Sequence, residues 1–261
     1  MRKGSPMVEI KTDASLDAMR EAGRVVASAL DAAQRAAAVG VSLRELDEAA
    51  REVLREAGAS SPFLGYRPQF ASTPFPAVIC ASVNDAIVHG IPGDYRLSDG
   101  DLVTIDCGAT LDGWSGDAAV SFTVGTPRPA DVRLIETTRQ ALEAGIAAAV
   151  AGGRMGDISH AVGTVGRTAG YGIMEDFGGH GIGRRMHEDP PVPNEGRPGR
   201  GFRLRHGLVL AIEPMFLAGG LDAYTTDADG WTLRTTDGSR AAHSEHTVAI
   251  TEDGPRILTA L

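Results

Sequence analysis

Two aspartates in a predicted β-hairpin are the first residues whose spacing indicates chemistry. Residues 102–124 have the pattern of two strands joined by a two-residue turn at Asp112-Gly113, which is a strong hairpin signal. In this register Asp106 and Asp117 are diagonal neighbours on one face of the sheet, ~7–8 Å apart. Two carboxylates this close in an apolar segment resist ionisation unless a cation lies between them. The hairpin therefore predicts a cation site.

A glycine-rich segment at 178–190 carries two histidines. Glycines on both sides of His180 allow the backbone to approach a ligand closely and leave the imidazole unobstructed. His187 follows, ahead of two acidic residues and a proline pair that favours an extended chain. We interpret His180 as a nitrogen donor.

Two glutamates add further acids to predicted strands. Glu213 follows the apolar strand 208–212, and Glu245 lies within the strand 242–250, between two histidines. An unpaired carboxylate buried at the second position would cost several kcal/mol, so Glu245 needs either water or a cation.

Four carboxylates and one imidazole, without a thiolate, suit a pair of divalent cations such as manganese, cobalt, iron or zinc. Shared carboxylates hold two such ions about 3.5–4 Å apart in dinuclear aminopeptidases and phosphatases. The predicted ligands are Asp106, Asp117, His180, Glu213 and Glu245.

Each of these residues also has a plainer structural interpretation. One aspartate of the hairpin could face solvent beside a bulge while the other caps the turn. Glu213 could simply end its strand in solvent, and a lone histidine is more often a hydrogen-bonded structural residue than a ligand.

The elements that must position these residues follow from periodicity, caps and turns. Apolar periodicity predicts four helices, over residues 16–39, 43–58, 131–150 and 157–168. Ser42 and Glu45 form a capping box at the start of the second helix. Strands are predicted at 77–83, 87–89, 102–110, 114–124, 172–174, 208–212, 231–235 and 242–250.

The order of helices, strands and a hairpin occurs twice, in residues 12–125 and 130–252. Asp237-Gly238 is interpreted as the hairpin turn of the second copy. This repetition predicts two structurally similar halves within one domain.

Composition excludes several classes of protein. The 261 residues carry a formal net charge of −9, whereas a nucleic-acid-binding surface is normally basic. Cys80 and Cys107 are too few for a secreted disulfide framework, so we expect reduced thiols in the cytoplasm. We find no signal peptide and no apolar run of the ~20 residues that a membrane span needs. With no extended apolar patch in the sequence, we expect a monomer.

In its motifs and their order, the chain resembles the type I methionine aminopeptidases of the pita-bread metallopeptidase family. The resemblance runs from Met7 almost to the end of the chain. The matching segments are Ser82–Pro92, Ile105–Gly108, Gly116-Asp117, Gly179–Gly183, His187-Glu188, Ala211–Met215 and Ser244–Thr247. It implies an α+β fold in which helices cover a curved antiparallel sheet built from two pseudo-symmetric halves. Residues 1–8 are then an N-terminal extension, and residues 9–261 form one catalytic domain.

The resemblance also implies roles for the metal ligands. Asp106 would bind one of two metal ions, His180 and Glu213 the other, and Asp117 and Glu245 would bridge both. A hydroxide activated by the two ions would attack the carbonyl of the first residue, and Glu213 would carry its proton to the leaving amine.

The substrate implied by the resemblance is the N-terminal methionine of nascent proteins and peptides, with a small second residue. His89 would lie beside the substrate amine and His187 would donate a hydrogen bond to the scissile peptide. Transient association with ribosomes is a further expectation. The methionine pocket would be formed by Phe63, Tyr66, Cys80, Trp231 and Met186, with Phe75 completing the wall. In the alternative interpretation, some of these residues only pack the loop and the core.

Two rival functions remain open at this point. One is a proline-directed peptidase on the same fold, although such enzymes usually carry an additional N-terminal domain. The other is a binding module on this scaffold without catalysis, against which the intact ligand set and the negative charge both count.

Overall fold

The computed structural model describes residues 8–68 and 71–261. Residues 1–7 of the predicted N-terminal extension lie outside the described residues, as do residues 69 and 70. Within the described part of the chain, no helix has the length and apolar character needed to cross a bilayer.

Four helices form where apolar periodicity predicts them. Their bounds are Asp13–Ala36 (α1), Leu43–Glu56 (α2), Pro129–Ala148 (α3) and Met155–Thr168 (α4). The capping box of α2 is confirmed, because the Ser42 side chain accepts from the Glu45 N–H while the Glu45 carboxylate accepts from the Ser42 N–H. The first helix ends three residues before Val39, which is 57% exposed.

Fourteen strands are present in the described residues. They are β1 (Ile79–Val83), β2 (Ala86–Val88), β3 (Leu102–Leu111), β4 (Trp114–Thr123), β5 (Gly172–Ile173), β6 (Gly178–Gly181), β7 (Glu188–Pro193), β8 (Val209–Ile212), β9 (Met215–Leu217), β10 (Tyr224–Thr226), β11 (Leu233–Thr235), β12 (Ala241–His243), β13 (Glu245–Thr251) and β14 (Gly254–Ile257).

Eight of these strands form one curved antiparallel sheet. Its order is β1-β3-β4-β13-β8-β6-β7, and β14 pairs with β13. The two smaller sheets have the orders β10-β11-β2 and β12-β9-β5. The predicted α+β class with a helix-covered antiparallel sheet is therefore confirmed.

The two halves meet between β4 and β13. On one side, α1 and α2 bury an apolar cluster against β1, β3 and β4 that includes Val26, Leu46 and Ile105. On the other side, α3 and α4 bury a second cluster against β8 and β13 that includes Ile158 and Leu210. Each helix pair thus covers its own part of the large sheet, and the central strands that carry the site lie where the halves join.

The predicted β3–β4 hairpin is correct in every paired position, from Leu102 opposite Thr123 to Leu111 opposite Trp114. The turn residue Asp112 has a φ of 50° and Gly113 a φ of 77°, as a turn with two left-handed residues requires. The register therefore puts Asp106 and Asp117 on the same face of the sheet.

The second predicted hairpin turn is wrong. Asp237-Gly238 follows β11, whose two edges are already paired with β10 and β2. The chain therefore crosses to another sheet, where β12 pairs with β9. For a related reason the predicted strand 242–250 is interrupted at Ser244, because β12 and β13 belong to different sheets.

Candidate metal centre

All the residues predicted for the metal site and the methionine pocket line one cavity of about 280 Å³. Its polar residues include the predicted donors Asp106, Asp117, His180, Glu213 and Glu245, together with His89 and His187. Its apolar wall contains Phe63, Tyr66, Phe75, Cys80, Met186 and Trp231. The structure thus brings the predicted set together around one cavity.

Five neighbouring strands each supply one donor to this cavity. In the order of the sheet, β3 carries Asp106, β4 Asp117 and β13 Glu245, while Glu213 follows β8 directly and His180 lies on β6. Residues far apart in the chain converge because these strands are consecutive in the sheet. The glycines beside His180 allow close packing, since a Cβ at position 179 would lie 2.1 Å from the Ala211 carbonyl oxygen.

Side-chain hydrogen bonds fix the backbone at two of the donors. The Thr247 hydroxyl on β13 accepts from the Asp117 N–H (2.9 Å) and donates to the Asp117 carbonyl (2.8 Å). The Asn194 amide donates to the Glu213 carbonyl at 3.0 Å. These contacts anchor the carboxylate-bearing backbone on both sides of the junction between the halves.

Burial sets the electrostatics of the acids. It raises the pKa of Asp106 to about 7 and that of Glu213 to about 8. Burial, followed by the charges of neighbouring carboxylates, raises the pKa of Asp117 and of Glu245 well above the usual range. When no cation is bound, the raised pKa values favour the protonated form of these four carboxyl groups, whereas the same groups would be ionised in water near neutral pH.

Burial shifts the pKa values of the imidazoles in the opposite direction, that is, downwards. Burial lowers the pKa of His180 to about 3 and that of His89 to about 4, and it also lowers the pKa of His187. A neutral ring is the form that binds a metal ion. The His180 Nδ1 atom lies 2.9 Å from the Gly181 carbonyl, so a proton on Nδ1 leaves the Nε2 lone pair directed at the acids.

The donor set fits divalent cations. Ligand atoms of Asp117, His180 and Glu245 lie within 4.8 Å of one another. The His180 Nε2 atom is 3.7 Å from Glu213 Oε1 and 3.9 Å from Asp117 Oδ2, separations too long for hydrogen bonds and suited to ligands around one ion. Buried oxygens of Asp106, Asp117 and Glu245 have no hydrogen-bond partner in the described residues, and a cation would satisfy them.

A chain of aromatic contacts forms the apolar wall. The Trp231 ring packs edge-on against Phe75, with the centroids 5.1 Å apart, and Phe75 in turn packs against Phe63. The Tyr66 ring stacks on His187 at 5.4 Å. These contacts connect the residues predicted for methionine binding directly to a residue predicted for catalysis.

His89 and His187, which are outside the predicted ligand set, also line the cavity. His89 has a left-handed φ of 61° at the end of β2, and its ring lies between Phe177 and Trp231. Such a backbone conformation is uncommon outside glycine and often marks a functional residue. The His187 ring lies 4.4 Å from that of His180, which places it beside the donor cluster.

Three residues at the site were not predicted from the sequence. Asp176 and Phe177 line the cavity just before β6, where no periodic pattern marks them. His243 lies against Glu213 and Glu245, and ligand atoms of the three residues lie within 4.8 Å of one another. A signal for His243 was available, because it precedes Glu245 by two residues and alternate residues of an extended chain share a face.

Comparison with known proteins agrees with this geometry. The sequence profile described as "Metallopeptidase family M24" matches residues 17–252. The chain is 54% identical to methionine aminopeptidase 1 of Mycobacterium tuberculosis over 264 residues, which cover 98% of this chain and 97% of that relative. It is 45% identical to the methionine aminopeptidase of Clostridium acetobutylicum, over 97% of this chain and 99% of the relative.

Solved structures show the same fold. The methionine aminopeptidase of Thermotoga maritima superposes with a TM-score of 0.93 at 38% identity, over 98% of this chain and all of that one. The prolidase of Pyrococcus horikoshii superposes with a TM-score of 0.75 at 23% identity, and the match covers 96% of this chain but 63% of the prolidase. The similarity to the prolidase shows only the fold, which is the pita-bread fold that the prolidase shares with the methionine aminopeptidase.

Proposed function

Since the chain belongs to metallopeptidase family M24, and within it to the type I methionine aminopeptidases, we propose that it removes the N-terminal methionine from nascent proteins and peptides. We also propose a preference for a small second residue. One observation carries the proposal: five consecutive strands each direct one metal donor into a cavity whose other wall is aromatic and sulfur-bearing.

The donors would hold two divalent ions of cobalt, manganese, iron or zinc. Asp106, Asp117, His180, Glu213 and Glu245 would all supply ligand atoms to these ions. When bound, such ions lower the pKa of a coordinated water towards ~7, so that hydroxide is available as the nucleophile at neutral pH.

Glu213 is the residue placed to move the proton. Its carboxyl group lines the cavity beside the other proposed ligands, and a carboxylate in this position can take up and release a proton. We infer that Glu213 accepts the proton of the attacking water and passes it to the leaving amine.

The two outer histidines would orient the substrate. His187, beside His180, donates a hydrogen bond to the scissile peptide and so favours the developing oxyanion. His89, whose ring packs edge-on against Trp231, would lie beside the substrate amine. Because burial keeps both rings neutral, each can donate a hydrogen bond without placing a second positive charge beside the amine.

The aromatic wall would select the first residue. The rings of Phe63, Tyr66, Phe75 and Trp231, together with Cys80 and Met186, offer a polarisable surface suited to a thioether. The basis for the proposed small second residue is the Tyr66 ring, which stacks on His187 at 5.4 Å and so lies beside the residue proposed to donate to the scissile peptide.

We place this activity in the cytoplasm, where nascent chains emerge and where two free cysteines would stay reduced. Transient contact with ribosomes would bring the enzyme to its substrates, and we propose that the enzyme acts as a monomer. Residues 9–261 would form the catalytic domain.

Peptide hydrolysis tests the proposal directly. The metal-free protein is incubated with Met-Ala-Ser or with an Ala-Pro peptide, with and without added Co²⁺ or Mn²⁺. Release of methionine only with metal supports the proposal. Cleavage that requires proline would assign a prolidase-like activity instead, and no turnover with any metal would identify a non-catalytic binding protein.

A further inference from the structure

His243 is a buried histidine that the proposed mechanism does not use. It ends β12, two residues before Glu245, and is 1% exposed. Its backbone is fixed on both sides by Ser121 on β4, whose hydroxyl accepts from the His243 N–H at 3.0 Å and donates to the His243 carbonyl at 2.8 Å. The Ser121 hydroxyl is also hydrogen-bonded to the Thr104 hydroxyl at 2.7 Å. A buried polar network therefore holds the backbone of His243 in place.

The ring faces two of the carboxylates in the site. The His243 Nε2 atom lies 3.6 Å from Glu213 Oε2 and 3.7 Å from Glu245 Oε2. Neither ring nitrogen has a hydrogen-bond partner among the described residues, and both are inaccessible to solvent. A buried imidazole without partners costs free energy, so a purely structural role for it is poorly supported.

The His243 ring faces two carboxylates at nearly the same distances as the His180 ring does. The corresponding separations for His180 Nε2 are 3.7 Å to Glu213 Oε1 and 3.9 Å to Asp117 Oδ2. Glu213 thus lies between the two rings, with one oxygen facing each of them. Separations of this size exceed a hydrogen bond and match the spacing of ligand atoms around one ion with bonds of ~2.0–2.2 Å.

From this geometry we propose that His243 is a second nitrogen ligand, which shares a divalent cation with Glu213 and Glu245. The inference rests on the metal site of the proposed function and adds a donor to it. Imidazole favours zinc, iron and nickel, whereas carboxylate favours manganese and magnesium. The second ring therefore shifts the preference of the site towards the nitrogen-binding metals.

Nuclear magnetic resonance of the metal-loaded protein tests this assignment without measuring activity. The protein, whose seven histidines are labelled with ¹⁵N, is loaded with ¹¹³Cd²⁺ as a probe for zinc, and one-bond Cd–N couplings are counted. We expect two coupled imidazoles in the wild type and one in each of His180→Ala and His243→Ala. His246→Ala is the matched control, because the His246 Nδ1 atom is bonded to the Thr259 hydroxyl at 2.9 Å, and it should retain both couplings.

Affinities give a second measurement. In calorimetric titrations, His243→Ala should lose at least ~10-fold in Zn²⁺ affinity and less in Mn²⁺ affinity. His243→Gln supplies an amide of similar size, and it should fail to restore the Zn²⁺ affinity. Thermal unfolding of each metal-free variant checks that the fold is retained.

Two results would overturn the proposal. If His243→Ala retains both couplings while His243→Gln restores the affinity, His243 only donates a hydrogen bond to the carboxylates, and the proposed metal site stands without it. If the wild type shows no Cd–N coupling and His180→Ala changes nothing, the metal site of the proposed function fails together with this inference.

Discussion

The carboxylate floor and the aromatic wall of the cavity are built in different ways. The floor, formed by Asp106, Asp117, His180, Glu213 and Glu245, lies on or directly after five paired strands of one sheet. Apart from Cys80 on β1, the wall lies between regular elements, where ring contacts and apolar packing hold Phe63, Tyr66, Phe75, Met186 and Trp231.

The difference follows from what each region has to do. Metal ligands must converge within a few tenths of an ångström, and a strand register supplies that precision. A side-chain pocket tolerates small displacements and gains from adaptable surfaces such as Met186. We therefore expect substitutions in the floor to abolish catalysis and substitutions in the wall to alter substrate binding.

The largest expected effect is loss of an acid of the floor. Asp117→Asn removes a charge at the centre of the floor while the backbone bonds to Thr247 remain. We expect the turnover number for Met-Ala-Ser to fall by at least ~100-fold, together with cation affinity, because losing even an outer-shell partner typically costs 10–100-fold. Glu252→Gln, in an exposed turn, is the control and should keep full activity. An active Asp117→Asn enzyme would contradict the assignment of the floor.

The floor should also make the stability of the metal-free protein depend on pH. Burial raises the pKa of Asp106 to about 7 and that of Glu213 to about 8, while unfolded carboxyls titrate near ~4. Unfolded histidines have a pKa of ~6.5 and are mostly neutral above pH ~7, so the acids dominate the proton balance there. The native state then binds more protons than the unfolded chain, and stability falls as pH rises from ~7 to 8. The expected slope is roughly 1.4 kcal/mol per pH unit for each protonated acid.

Urea denaturation in the presence of a chelator, at a series of pH values, measures this slope. Asp106→Asn removes one titrating group and should make the slope shallower. Saturating Zn²⁺ at 100 times its dissociation constant should add about 2.7 kcal/mol of stability. A stability that is flat or rises with pH in this window would show that the acids do not hold protons in the folded state.

The regular parts of the floor were predictable from the sequence for identifiable reasons. The Asp112-Gly113 turn fixes the register of its hairpin, and the register fixes which side chains share a face. The Ser42 cap and the four helices follow from local hydrogen bonding and from periodicity.

The remaining features depend on pairing that local sequence does not encode. Asp237-Gly238 has the composition of a hairpin turn, yet both edges of β11 are occupied by strands distant in sequence. The short β6 is rich in glycine, and β7 contains three prolines, so neither shows strand propensity. The break at Ser244 arises because β12 and β13 pair with distant strands in different sheets.

A smaller effect is expected in the wall. Met186 is 7% exposed and packs in a cluster with Phe63, Cys80 and Trp231. Met186→Ala should raise the KM for methionyl peptides by roughly 10-fold, since burying a methionine-sized side chain is worth ~1.5–3 kcal/mol, while kcat changes little. Met186→Leu conserves volume and should behave nearly as wild type. Steady-state kinetics separate the two constants, and an equal loss in kcat would place Met186 in the chemistry instead.

The smallest effect on activity is expected at the contact between α2 and β1, the strand that carries the wall residue Cys80. The Asp47 carboxylate on α2 accepts from the N–H groups of Val78 and Ile79, at 2.8 and 3.1 Å, and pairs with Arg51. It thereby anchors the start of β1, the strand that carries Cys80. Asp47→Ala leaves two buried donors unsatisfied and should cost ~1–3 kcal/mol in unfolding free energy, with kcat/KM within a few-fold of wild type. Asp47→Asn retains an acceptor for these donors and should cost less. If instead kcat/KM for Met-Ala-Ser falls more than ~10-fold while the unfolding free energy is unchanged, the wall contributes to catalysis as directly as the floor does, and the division between the two regions fails.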